Sequence, residues 1–276
     1  METDRSLLQL RSIRKVFARG TIDEVNALNG IDLDIYAGDF VTVIGSNGAG
    51  KSTLLNIISG VYPPESGGKV IINGDDITNL SEYKRASYVS RVYQDPEVGT
   101  SPKLTVEENL SLAFLRGKSR GLKRAVNKER RELFRSALAP LGLGLENRLT
   151  TPVGTLSGGQ RQSLALVMAT INKPVLLLLD EHVATLDPMT AQTVLNLTDM
   201  IVQQERVTTL MVTHDMELAM KYGSRLIMMD RGRVVIDLNQ EQKAGLTISD
   251  LLSYFEQVSG RHFADDSMLL KTKPLP

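Results

Sequence analysis

Nine consecutive residues, Gly45-Ser46-Asn47-Gly48-Ala49-Gly50-Lys51-Ser52-Thr53, spell G-x-x-x-x-G-K-S, the pattern of a phosphate-binding loop. The glycines let the main chain turn tightly and aim N–H groups at an anion. Lys51 brings a positive charge for β- and γ-phosphates, and the Ser52 hydroxyl is a ligand for Mg²⁺. A second cluster, Asp180-Glu181, follows the apolar run Val175 to Leu179. A carboxylate at such a strand end can hold Mg²⁺ through water, and its neighbour can position and deprotonate an attacking water. The same acidic pair, taken alone, is also an ordinary helix start. A third cluster, Leu156-Ser157-Gly158-Gly159-Gln160, sets two glycines directly behind a Ser cap. Glycine weakens a helix start unless something must approach closely, so this end reads as a second anion site. The two anion-binding helix ends need not meet within one subunit. Head-to-tail pairing of two subunits would bring one to the other.

The elements that must position these residues follow from periodicity. Phe40 to Ile44 is a short apolar strand before the loop, and Ser52 to Ser59 is a helix after it, ending at Gly60. The helix dipole then faces the phosphates. Upstream, Leu8 to Ile13, Lys15 to Phe17, Val25 to Leu28 and Ile31 to Ile35 read as strands of an antiparallel start. Lys69 to Ile72 is a strand and Asn73-Gly74 a hairpin turn. Val89 to Tyr93 is a strand, followed by an expected loop to Pro102. Thr105 to Glu108 has capping-box spacing ahead of a helix over 109–114. Ser157 to Gln160 repeats that spacing ahead of Leu164 to Ile171, which is apolar nearly all round and reads as a buried helix. Val175 to Leu179 has the continuous apolar character of a strand buried on both faces. Asp187-Pro188 caps the next helix, Val207 to Val212 is a strand ending at His214, and Met216 to Tyr222 is a helix stopped by Gly223. Leu226 to Met229 and Val234 to Leu238 form a hairpin, with Met211, Met228 and Met229 as core fillers. A tail helix carries Leu251, Leu252, Phe255 and Val258, with packing against its own domain expected, and Lys271 to Pro276 reads as loose. Alternation of strands and helices through this half indicates a mainly parallel sheet with helices on both faces.

Composition narrows the classes. Lys+Arg and Asp+Glu both number 32 in 276 residues, which removes the electrostatic footprint of a dedicated nucleic-acid binder. The run 116–131 is nevertheless basic (Arg116, Lys118, Arg120, Lys123, Arg124, Lys128, Arg130, Arg131), and reads as a solvated face, with anionic lipid as the lesser alternative. There is no cysteine, so disulfides and thiolate metal sites are excluded and a reducing compartment is expected. No apolar run approaches the roughly 18 residues of a membrane span, and Met1 to Arg5 lacks the basic-then-apolar order of a signal peptide. A soluble, cytoplasmic protein is expected, with any membrane role exercised through a partner.

Together and in this order the motifs resemble the ATP-binding subunit of an ATP-binding-cassette (ABC) transporter, over about residues 8–240. The residues carrying the likeness are Gly45 to Thr53, Gln94, Leu156 to Gln162, Leu176 to Glu181, Ala184 to Asp187, and His214. The resemblance implies an α/β P-loop NTPase fold: a RecA-like, mainly parallel sheet, an N-terminal antiparallel β subdomain and an inserted helical subdomain at about 95–160. The cassette would span 1–245 and a helical tail 246–276. It further implies ATP and Mg²⁺ as cofactors, with Ser52, Gln94 and Asp180 at the metal and Glu181 as general base. Phe17, by itself a half-buried strand residue, would stack on adenine. Gln94 would sense Mg²⁺ and the attacking water and signal to the membrane partner. Ser157, Gly158, Gly159 and Gln160 would close over the γ-phosphate held by the other subunit, Asp187 would act across the dimer, and His214 would contact the γ-phosphate. The implied partners are a second copy or a paralogous cassette, a polytopic permease and an extracytoplasmic substrate-binding protein, with no nucleic acid, at the inner face of the cell membrane.

One departure is His182, where many family members carry Pro. With the runs around Leu179 to Pro188, Thr209 to Asp215 and Asp250 to Phe255 it resembles a subgroup encoded with bacterial tryptophan/tyrosine-type uptake systems. His182 is either a titratable group near the site or a tolerated loop residue. Three rivals stand beside amino-acid uptake. An export ATPase shares the fold. A soluble ABC ATPase of DNA repair or translation usually has a coiled-coil insertion or two cassettes, whereas Gln94 to Ser157 leaves room only for a small helical subdomain. A module that binds ATP without turnover is opposed by the set Glu181, Gln94 and His214.

Overall fold

The computed structural model describes residues 6–118 and 125–259. The signal-peptide reading at Met1 to Arg5, the basic residues Arg120, Lys123 and Arg124, and the loose end Lys271 to Pro276 lie outside them. In chain order the described residues form β1 (Ser6–Phe17), β2 (Val25–Tyr36), β3 (Phe40–Gly45), α1 (Lys51–Ser59), β4 (Lys69–Ile72), β5 (Asp75–Asp76), α2 (Glu82–Arg85), β6 (Val89–Val92), α3 (Pro96–Gly99), α4 (Val106–Phe114), α5 (Lys128–Leu138), α6 (Gly158–Thr170), β7 (Leu176–Asp180), α7 (Pro188–Glu205), β8 (Thr208–Val212), α8 (Met216–Lys221), β9 (Arg225–Asp230), β10 (Arg233–Leu238), α9 (Gln240–Ala244) and α10 (Ile248–Ser259). They divide into two compact units, Met1–Arg85 with Thr208–Pro276, and Ala86–Val207.

In the first unit β1 pairs with β2 and β4 in antiparallel fashion, and β4 pairs with β5. The four short strand runs expected at the start are two continuous strands. Register shifts near Ser12 and Gly30 absorb the irregular pattern, so one long hairpin forms where the alternation looked broken. Asn73 and Gly74 both have positive φ (53° and 87°), as a primed turn between β4 and β5 requires. The other sheet strands of this unit run β10-β9-β3-β8, with β3 parallel to both β8 and β9, and β10 antiparallel to β9. β3 and β8 are buried along their whole length, which explains their unbroken apolar and Thr-rich runs. Met211, Met228 and Met229 fill this core as expected. The tail helix α10 packs on its own unit: Leu251 and Phe255 join Ile44, Met216, Leu226, Met228 and Leu238 in one cluster.

Arg85 was not singled out by its sequence context, yet it is fully buried. Its guanidinium donates to the carbonyls of Ile57, Ile58, Thr78 and Leu80. It thereby satisfies the open carbonyls at the C-terminal end of α1 and places a cation on the negative end of that helix dipole.

In the second unit β6 and β7 pair in parallel, Val89 with Leu176 through Val92 with Leu179. Helices α4 to α7 belong to the same unit. The segment after β6 is not all loop as expected: Asp95 accepts from Glu97 N and Pro96 starts the single turn α3. Both capping boxes form, Thr105 with Glu108 and Ser157 with Gln160. The described part of the basic run is solvated as expected, with Lys118, Lys128 and Arg131 exposed and Arg116 and Arg130 half-buried, and several of its members also hold neighbours. Arg131 holds Glu107 through two hydrogen bonds, Arg116 donates to Ser90 Oγ, and Lys118 lies 3.7 Å from the Phe114 ring centroid.

Candidate nucleotide site

The phosphate-binding loop leaves β3 at Gly45 and enters α1 at Lys51, so the α1 N-terminus opens onto the loop. The Gly50 backbone is left-handed (φ 102°), and a Cβ there would stand 2.5 Å from the Ala27 carbonyl oxygen. Only glycine fits, because both the backbone angle and the close strand β2 exclude a side chain. Lys51 is buried and curls back over the loop, donating to the carbonyls of Gly45 (2.6 Å) and Ser46 (3.1 Å). Its charge is thus held where the loop would cradle phosphate oxygens. Ser52 is exposed in the first turn of α1, and Asn47 and Gly48 are exposed in the loop. His214, half-buried, follows β8 in the same unit, two residues ahead of α8.

The base-stacking candidate Phe17 sits at the end of β1, opposite Val25. The structure adds Tyr62, whose ring meets Phe17 edge-to-face at 5.3 Å and 76°. Lys15 Nζ lies 5.6 Å and 5.8 Å from the two ring centroids and donates to Pro63 O. The ring is therefore held by an aromatic and a cationic neighbour, in a geometry favoured by the ring quadrupole.

The second unit brings the other candidates together. Thr185 Oγ1 contacts Gln94 O at 3.5 Å, Gln162 donates to Tyr93 O at 3.0 Å, and Arg161 binds Glu97 at 2.6 Å. The segment after β6 is thus tied both to α6 and to the turn before α7. Glu181 has φ 46°, a left-handed backbone at a bulky residue. Such strain persists where the surroundings over-determine it, and it is concentrated at functional positions. It turns the chain sharply off β7, and Ala184 N then bonds Glu181 O. Asp187 is exposed and caps α7 by accepting from Thr190 N; those Thr190 hydrogen bonds hold its carboxyl below the usual pKa. Ser157 and Gly158 are exposed at the start of α6, while Gly159 is buried. Gln160 turns its side chain inward, accepting from Ser157 N and donating to Leu143 O, so it serves the cap.

His182 lies in the turn between β7 and α7, as a loop residue would, but its side chain points into the core. It is buried, its Nε2 lies 3.1 Å from Thr198 Oγ1 on α7, and burial pushes its pKa down to about 4. Arg91 carries no motif in its local sequence, Val89-Ser90-Arg91-Val92. It forms an ion pair with Asp180, Nη2 to Oδ2 at 2.5 Å, with both side chains largely buried.

The sequence profile of the ABC transporter family matches residues 28–184. The chain is 47% identical over 250 residues to the tyrosine transport ATP-binding protein of Clostridioides difficile, covering 91% of this chain and 99% of that one. The chain belongs to the ABC transporter ATP-binding family. This cassette is also 35% identical to the lipoprotein-releasing system ATP-binding protein LolD of Pseudomonas syringae pv. tomato, over 84% of its own length and 99% of LolD. Among solved structures it is similar to the dimeric ATP-binding cassette MJ0796 in a post-hydrolysis state with ADP and Pi. That match has a TM-score of 0.71 and 29% identity, covering 84% of this chain and 98% of the other. The P-loop NTPase fold and ATP hydrolysis as the chemistry of the cassette follow from these relationships. No helix among the described residues is long and apolar enough to cross a membrane.

The oxygen donors suit Mg²⁺. In the first unit Ser52 offers a hydroxyl in the first turn of α1; in the second, Asp180 offers a carboxylate at the end of β7 and Gln94 a side-chain carbonyl on an exposed bend. Mg²⁺ prefers hard oxygen ligands, keeps several waters and takes others from phosphates, so few protein donors are needed. Among the described residues no group of three or more His, Cys, Asp or Glu forms a cage for a softer metal.

Proposed function

We propose that this ATPase works as a head-to-tail pair of cassettes, each α6 N-terminus closing over nucleotide held by the loop of the other subunit. The observation that carries the reading is the start of α6: Ser157 and Gly158 face solvent with the cap complete, while Gly159 is locked against α7. A glycine-rich helix start presented outward suits an anion brought by a partner. In this reading the loop N–H groups and Lys51 hold the triphosphate, and Phe17 stacks on the base. Ser52 and Asp180, with Gln94, hold Mg²⁺, which when bound neutralises charge developing on the phosphates. Glu181 takes the proton of the attacking water, His214 steadies the γ-phosphate and Asp187 acts across the pair. Electrostatic stabilisation by Lys51 and backbone amides supplies most of the acceleration. Glu181→Gln is expected to retain ATP binding, accumulate the closed dimer and lose turnover by about 10² or more. Near-normal hydrolysis in that variant would remove Glu181 as the base.

The cassette pair is proposed to drive a polytopic permease at the inner face of the membrane, with an extracytoplasmic binding protein delivering an aromatic amino acid. The 47% identity to a tyrosine transport ATP-binding protein supports this cargo. A second reading, an export or release system, is favoured by the lipoprotein-releasing relatives at 34–35% identity. Tyrosine uptake by vesicles holding the cassette with its co-purified permease separates the two: uptake strictly dependent on the binding protein and abolished in Lys51→Ala supports import.

A further inference from the structure

Arg91 is the charged residue of β6, whose other members are Val89, Ser90 and Val92. It stands opposite Leu178 in the parallel register with β7. Side chains two residues apart share a sheet face, so Leu178 and Asp180 lie on one face. Arg91 reaches along that face past the end of the ladder, and its Nη2 donates to Asp180 Oδ2 at 2.5 Å. The two side chains are only 9% and 14% exposed. The guanidinium also lies over the Tyr93 ring, 4.8 Å from its centroid, which steadies the arm. The carboxylate assigned to the divalent ion therefore already carries a resident cation on one oxygen, where water screens the charges poorly.

We propose that Arg91 is a positioning residue for the metal site: it fixes the Asp180 carboxylate through Oδ2, leaves Oδ1 for a metal-bound water, and by its charge weakens the hold of Asp180 on the divalent ion. The proposal rests on the reading of Asp180 as the metal-site carboxylate. The physical reason is that a guanidinium and a divalent ion sharing one buried carboxylate repel each other, at an effective dielectric well below that of water. A neutral side chain in place of Arg91 relieves that repulsion. Lysine preserves it, although without the planar fork that suits a carboxylate.

Mn²⁺ binding to the full-length protein with ADP, read by electron paramagnetic resonance of free Mn²⁺, tests this without turnover. Arg91→Gln and Arg91→Met are expected to bind Mn²⁺ about three- to tenfold more tightly than the native protein, with Arg91→Lys close to native. Asp180→Asn is expected to bind at least about tenfold more weakly, and Arg91→Gln added to it should recover part of that loss, because the guanidinium repels the ion with or without the carboxylate. Thermal melts identify any variant that fails to fold; Arg91→Gln keeps a hydrogen-bond donor for Asp180 should Arg91→Met not fold. Unchanged or weaker Mn²⁺ binding in folded Arg91→Gln, with Asp180→Asn weakened, overturns the role of Arg91 alone. An Asp180→Asn protein with native affinity overturns the assignment of Asp180 and the proposal with it.

Discussion

A Cβ placed on Gly159 would stand 2.1 Å from Thr190 Cγ2, so the first turn of α6 meets the first turn of α7 with no room for a methyl group. Both turns carry residues assigned to the partner-facing half of the site, Ser157 and Gly158 on one, Asp187 on the other. Their contact makes them one rigid piece within the second unit.

Gly159→Ala is therefore expected to destabilise the protein. Alanine is worth up to about 1 kcal/mol over glycine in a helix, but overpacking costs about 1–3 kcal/mol, so the clash wins. Adding Thr190→Ser removes Cγ2 and should recover stability to the native level or above, because the propensity gain remains. Chemical denaturation of the single and double variants reads both signs; a double variant no better than the single would show that the strain lies elsewhere.

His182 predicts an acid sensitivity. The Thr198 hydroxyl donates to Val194 O, which leaves its oxygen to accept from His182 Nε2–H. The buried ring is thus held neutral, and its pKa falls from 6.5 to about 4. Between those values the unfolded chain binds more protons than the folded one. The contribution is fully present above about pH 6.5 and is lost progressively toward pH 4, about 3 kcal/mol in all. Denaturation of the nucleotide- and metal-free protein across this range should show the slope. His182→Gln should flatten it, and an equally steep variant would assign the slope to other groups.

Phe17→Ala should weaken ATP binding about tenfold or more, as stacking on an aromatic ring is worth about 1–3 kcal/mol. Tyr62→Ala should have a smaller effect, because Tyr62 acts by holding Phe17 through a contact worth about 0.5–1.5 kcal/mol. Neither should alter binding of inorganic tripolyphosphate, which lacks a base. Equal losses for ATP and tripolyphosphate would mean that the ring supports the loop rather than the nucleotide.

Features that depend on a few adjacent residues were legible in the chain. The loop Gly45 to Thr53, the caps at Thr105, Ser157 and Asp187, and the turn at Asn73-Gly74 each follow from local backbone angles and hydrogen bonds. The two long strands β1 and β2 look like four short ones in the sequence, because bulges break a period-two pattern without breaking the pairing. The turn α3 was hidden by the Pro and Gly that usually mark loop, although Pro is also well placed at a first helical position.

By itself the sequence determined the chemistry: a phosphate-binding loop, a carboxylate pair behind an apolar strand, and a glycine-rich helix start, since each is written in residues that touch one another along the chain. Tertiary structure alone decided which charges and rings surround them. Arg91 reaches Asp180 across 89 positions, Arg85 reaches the end of α1 across 28, and Tyr62 meets Phe17 from the far side of the loop. His182 became a core residue only because α7 lies against it. Such pairs are set by strand register and by which helix packs on which turn. Those are the joint outcome of many weak burial terms across the fold, and no local pattern in the chain records them.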